Sequence, residues 1–130
     1  MRQLVNRMFS GIFLTMLITL TFTNNQSYAQ AYPKKNIVIV VPFGPGGSAD
    51  LMARTFAQYL EATLKQTVIV DNKPGADGMV GTEFVKNASP DGHTLLLTTN
   101  TTMAANSVFY KKIPYEPFKD FDHIGLDRKS

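Results

Sequence analysis

Two loops and a scatter of polar residues in this chain are of types and spacing that can do chemistry. Phe43-Gly-Pro-Gly-Gly-Ser-Ala-Asp50 is a glycine-rich loop that leads into an apolar-periodic stretch. Gly44, Gly46 and Gly47 free the backbone there, and Gly46 and Gly47 let it approach a bound group and turn N–H groups towards it. Ser48 is placed to cap the helix that follows, with Asp50 in its first turn. Loop N–H groups and the positive end of a helix dipole at one point bind anions, either phosphate or carboxylate. Thr98-Thr-Asn-Thr101 supplies hydroxyl and amide groups that hold oxygens directly or through water. Ser48, Asp50 and His93 are the residue types of a nucleophilic triad.

Each chemistry can be tested against spacing. Gly44-Pro-Gly-Gly-Ser-Ala49 fits a dinucleotide fingerprint, and Asp71 follows about twenty residues on. Pro42 and Pro45, however, stiffen the loop and remove two N–H donors that a pyrophosphate cradle would use. A dinucleotide-binding, Rossmann-like enzyme domain is therefore the alternative reading. No Gly-Lys-Ser/Thr follows the glycines, which excludes a Walker loop. Gly46-Gly-Ser-Ala-Asp50 lacks the last glycine of a nucleophile elbow, so an enzyme is not expected. His93 and His123 have no second ligand at helical or hairpin spacing and read as surface or edge histidines, so no metal is expected. Neither loop contains Arg or Lys, and neutral donors suit a carboxylate bound reversibly.

The elements that must position these loops follow from periodicity. Every residue of Ile37-Val-Ile-Val-Val41 is β-branched, as in a strand buried on both faces. Ala53, Phe56, Ala57, Leu60 and Leu64 form one helical stripe. Thr67–Val70 reads as a second buried strand, ended by Asp71-Asn-Lys-Pro-Gly75. A less regular helix is expected from Gly78 to Asn87 with Val80 and Phe84 on one face. His93–Thr98 reads as the third strand, Met103–Tyr110 as a short helix and Phe121–Leu126 as the start of a fourth strand. Alternating strands and helices predict an α/β fold with an open, mostly parallel sheet and flanking helices.

Composition narrows the class. The chain has 130 residues, 13 basic and 10 acidic, with no cysteine. Disulfides, thiolate metal sites and cysteine nucleophiles are thereby excluded. No clustered basic face suggests nucleic acid. Arg2 and Arg7, the apolar run Gly11–Phe22 and the small residues of Ser27-Tyr-Ala29 and Ala29-Gln-Ala31 describe a secretory signal over 1–31. The run is shorter than the ~20 residues that span a bilayer. Cleavage is expected after Ala29 or Ala31, so that the mature chain begins near Gln30 or Tyr32.

Several stretches together resemble the periplasmic substrate-binding proteins of tripartite tricarboxylate transporters, the Bug-type receptors. They are Tyr32-Pro-Lys-Lys-Asn-Ile37, Val41-Pro-Phe-Gly-Pro-Gly-Gly-Ser-Ala-Asp50, Val70-Asp-Asn-Lys-Pro-Gly-Ala76, Ser89-Pro-Asp-Gly-His-Thr-Leu-Leu-Leu97 and Tyr110-Lys-Lys-Ile-Pro-Tyr115 through Lys119-Asp-Phe121. The resemblance implies that residues 32–130 form the N-terminal part of a solute-binding domain, the first lobe of a two-lobed, type II periplasmic binding protein that closes on a small carboxylate. It implies a periplasmic monomer that hands its solute to membrane permease subunits, with no catalysis and no cofactor. Carried over, the ligand-binding residues are Phe43, Gly44, Gly46, Gly47, Ser48 and Asp50 from the first loop. Thr98, Thr99, Asn100, Thr101, Ala105 and Asn106 come from the second. Family members are far longer, and Asp127-Arg-Lys-Ser130 is unlike the apolar continuation of a fourth strand. The chain is accordingly expected to be a truncated form, to fold marginally and to bind carboxylates weakly or not at all.

Overall fold

The computed structural model describes residues 32–125; the expected signal segment and Asp127–Ser130 lie outside them. Three strands, β1 (Ile37–Val41), β2 (Val68–Asn72) and β3 (Thr94–Leu96), form one parallel sheet in the order β2-β1-β3. Ile37 lies opposite Val68, and Val38 opposite Thr94. Helix α1 (Ser48–Leu64) joins β1 to β2, and α2 (Met79–Lys86) lies between β2 and β3. A π-helical turn, Thr101–Ala105, runs into the short α3 (Asn106–Phe109). The expected α/β architecture with a parallel sheet and flanking helices is thus present.

The central strand is the most buried element. Ile37, Ile39 and Val41 pack with Ala49, Ala53, Ala57 and Val68, while Phe43, Leu60 and Leu64 lean on the edge of that cluster. Alternation sends Val40, also fully buried, to the other face of the sheet. The alanines let α1 sit close to the β-branched strand. Phe56, expected in the buried stripe, is 46% exposed, and Ala49 takes its place. The small-residue row fits against the sheet where a phenyl ring would not.

Other differences have similar causes. β2 extends to Asn72 because the backbone ladder with Val40 and Val41 continues regardless of side-chain polarity. Its Ile69 is 45% exposed, so β2 is not buried on both faces as a sheet centre would be. β3 is shorter than expected, although the Leu97 N–H still donates to the Val40 carbonyl at 3.0 Å. Helix α2 buries Gly81 and Thr82 rather than Val80 and Phe84. A Cβ on Gly81 would lie 2.8 Å from Pro42 Cα, so only glycine permits this contact with the end of β1. Residues Phe121–Gly125 form no strand.

Candidate functional site

Because β2 and β3 flank β1 on opposite sides, the chain reverses its direction of travel across the sheet, and the loops after β1 and β3 leave neighbouring carboxyl ends. Such a reversal is where open α/β sheets bind ligands. The two polar loops lie there.

The first loop is held from within. Gly47, not Ser48, occupies the N-cap of α1, and the Leu51 N–H donates to its carbonyl at 3.0 Å. Ser48 is the exposed first helical residue and makes no capping bond. The Asp50 side chain instead reaches back across the loop, its Oδ2 accepting the Gly46 N–H at 2.9 Å. The expectation that the Gly46 N–H faces a ligand is therefore corrected, because Asp50 has taken it. Arg54 Nε donates to the same Oδ2 at 3.0 Å. Arg54 Nη2 also reaches Asn72 Oδ1 at 3.4 Å, and Asn72 Nδ2 donates to the Phe43 carbonyl at 3.1 Å. The hydrogen bond from Arg54, then that from Gly46, hold the Asp50 carboxyl down at about 2. Its Oδ1 is buried without a partner among the described residues. The N–H groups of Ser48 and Ala49 in the first turn have no intrahelical acceptor.

The second loop is a hydroxyl cluster. Thr98 Oγ1 and Thr102 Oγ1 lie 2.5 Å apart, and the Thr102 hydroxyl reaches the Thr99 carbonyl at 3.2 Å. Thr99 and Asn100 are exposed, Thr98, Thr101 and Ala105 half-buried. Thr102 and Asn106 are buried, and their bonds run inward. The Tyr115 hydroxyl donates to the Thr102 carbonyl at 2.8 Å, and Asn106 Nδ2 donates to the Asp77 carbonyl at 3.0 Å. Asn106 is thus a strut whose amide faces the scaffold.

A third segment, whose start reads in sequence only as a turn and not as part of the site, lies against both loops. Gly75, Ala76, Asp77 and Gly78 all have positive φ, a left-handed turn before α2. A Cβ on Gly78 would lie 2.6 Å from Thr102 Cγ2 and 3.4 Å from Phe43 Cε1. The phenyl ring of the first loop and the methyl of Thr102 therefore both lie close against Gly78. Tyr110 donates its hydroxyl to the Asp77 carboxylate and anchors the turn from α3. The signal was present in Gly75, Gly78 and Gly81, three glycines at intervals of three. Arg54, one helical turn beyond Asp50, was equally visible as an i,i+4 pair.

Other candidates are dispersed. His93 lies at the amino end of β3, where its carbonyl accepts the Val38 N–H at 2.7 Å, far along the sheet from Ser48 and Asp50. No triad forms. Rather than an edge residue, His93 is 8% exposed, its Nε2 accepting the Lys34 N–H at 3.2 Å and its ring 4.9 Å from Tyr32. His123 is exposed, as expected. Among the described residues no group of three metal-ligating side chains occurs. Asp71, which a dinucleotide site would turn towards a ribose, pairs with Lys73 Nζ at 3.0 Å.

Comparison with known proteins gives a consistent result. The profile of the Tripartite tricarboxylate transporter family receptor matches residues 52–128. Protein BugT of Bordetella pertussis is 41% identical over 99 residues, 75% of this chain and 30% of that protein. The structure of periplasmic binding protein BugD is 39% identical, with a TM-score of 0.63 over 69% of this chain and 30% of its own. MatC from Rhodopseudomonas palustris, solved with bound malate, is 37% identical with a TM-score of 0.67, covering 69% of this chain and 31% of its own. The chain spans between 30% and 35% of the length of the curated relatives it matches.

Proposed function

This chain belongs to the tripartite tricarboxylate transporter receptor family, and we propose on that basis that it supplies one side of a periplasmic binding site for a small carboxylate. Of the similar proteins, BugD is a periplasmic binding protein and MatC is solved with bound malate, which supports a receptor rather than an enzyme. The reading carries with it export through the segment 1–31, a single copy in solution and hand-over of the solute to membrane permease subunits.

The observation that carries the reading is that both polar loops follow the carboxyl ends of the paired strands β1 and β3 and each brings a side chain, Phe43 or Thr102, close to Gly78. The N–H groups of Ser48 and Ala49, aided by the α1 dipole, would hold one carboxylate oxygen. Gly44 and Gly47 allow the ligand close to the backbone, and Phe43 gives an apolar wall. Thr98, Thr99, Asn100 and Thr101 would hold the other oxygen, directly or through water. Gly46, Asp50, Ala105 and Asn106 shape the site from its scaffold side. Neutral donors of this kind bind without trapping, as a receptor that must release its cargo requires.

Nuclear magnetic resonance titration of the full chain with malate tests this. Weak, saturable binding is expected, with amide shifts concentrated at Gly47–Ala49 and Thr98–Thr101. Absence of shifts at millimolar malate, or shifts centred elsewhere, would overturn it.

A further inference from the structure

A carboxylate receptor carries an electrostatic cost if a carboxylate of its own lies beside the site, yet Asp50 is buried directly behind the glycine loop. It lies in the first turn of α1, is 2% exposed, and accepts the N–H of the loop residue Gly46. Its charge opposes any anion arriving at the neighbouring Ser48 and Ala49 N–H groups, within about one helical turn of 5.4 Å. Among the described residues Arg54 is the one cation paired with it, at 3.0 Å. Resting on the receptor reading, we infer that Arg54 is a positioning residue for carboxylate recognition, cancelling the Asp50 charge and clamping the glycine loop from the side away from the ligand.

The geometry supports both parts. Arg54 joins Asp50 to Asn72, and Asn72 in turn holds the Phe43 carbonyl. The chain of bonds therefore grips the loop at two points, Phe43 and Gly46. Asn72 closes β2, which flanks β1 on the side opposite β3. The guanidinium thus sits across the central strand from the threonine loop. In that place it neutralises the site without offering the solute a cation of its own. The bound carboxylate then meets oriented dipoles and a balanced ion pair, and it can leave again. The low carboxyl pKa of Asp50 agrees, since the charge to be cancelled is present throughout the neutral range.

The test compares the full chain with Arg54→Gln, Arg54→Lys, Asp50→Asn and the double variant Asp50→Asn/Arg54→Gln. Malate affinity by resonance titration is one readout, and hydrogen exchange of the Gly46 amide in malate-free protein is the other. Arg54→Gln is expected to weaken malate about tenfold, Arg54→Lys to restore most of it, and the double variant to bind better than Arg54→Gln alone. A residue that only stabilised the fold would show no such recovery, because the double variant removes a further bond. In the free protein Arg54→Gln is expected to speed Gly46 exchange about tenfold, while amides from Phe56 onward in α1 stay unchanged. Equal malate affinity in Arg54→Gln and wild type, or a double variant no better than Arg54→Gln, overturns the role in recognition. Unchanged Gly46 exchange in Arg54→Gln overturns the clamp. Failure of the wild-type chain to bind malate overturns the receptor reading and with it the role in recognition, and exchange alone then decides the clamp.

Discussion

At Gly78 the backbone has a φ of +84°, and a Cβ would fall 2.6 Å from Thr102 Cγ2. Gly78→Ala therefore combines left-handed strain with a steric clash, and we expect it to destabilise the fold by about 2–3 kcal/mol. Gly44 has open space around its Cα. Gly44→Ala should change stability by less than about 0.5 kcal/mol. Urea denaturation of both variants decides the matter, and equal midpoints would refute it. Two carboxyls set the acid limit. Asp50, held by the Arg54 hydrogen bond, and Asp91, held by Lys35, both titrate at about 2 against 3.8 for a free aspartate. A depressed carboxyl pKa contributes stability above the unfolded value, and that contribution is lost as pH falls through the folded value. The denaturation midpoint should drop between pH 3.8 and about 2, less steeply in Asp50→Asn. A wild-type midpoint independent of pH over that window would contradict it.

Helix α1 ends at Lys65, whose φ of 54° and ψ of 33° place it in the left-handed region, its N–H bonded to the Glu61 carbonyl. Glycine is the natural occupant of such a position. Lys65→Gly should stabilise the chain by about 0.5–1 kcal/mol, read as a higher thermal midpoint, and a lower midpoint would count against it. Elements of this kind were largely legible in sequence. The β-branched run of β1 and the alternation of strand and helix predicted the parallel sheet. What failed was the choice of face. Val80 and Phe84 are apolar, yet α2 turns Gly81 inward because the end of β1 allows no side chain there. Hydrophobicity marks a candidate core residue, whereas close backbone approach demands a small one, and periodicity cannot rank the two. The loops were found because glycine and threonine clusters stand out. Their joint at Gly75–Gly78 was not, since its meaning depends on Phe43 and Thr102, distant in sequence and adjacent in space.

At the scale of the whole fold, the core formed by the described residues is narrow. The buried apolar side chains among the described residues are Ile37, Ile39, Val40, Val41, Pro42, Val68, Tyr115 and three alanines. Many other apolar groups stay outside, with Val108, Phe109 and Phe118 each 80% exposed. Small cores leave little surplus over chain entropy. Equilibrium unfolding of the full chain should give about 5 kcal/mol or less, with strong binding of an apolar dye to the native state. A value above about 10 kcal/mol would be incompatible with this packing. The strand order has a further, kinetic meaning. β1 is first of the three in the chain and central in the sheet, so its partners Val68 and Thr94 arrive only after long intervening segments. Until then Ile37–Val41 is an uncharged β-branched ribbon with both edges open, the kind of segment that seeds intermolecular pairing. Refolding should accordingly be slow and increasingly lossy at high protein concentration, and β1 is the segment a chaperone has most reason to cover.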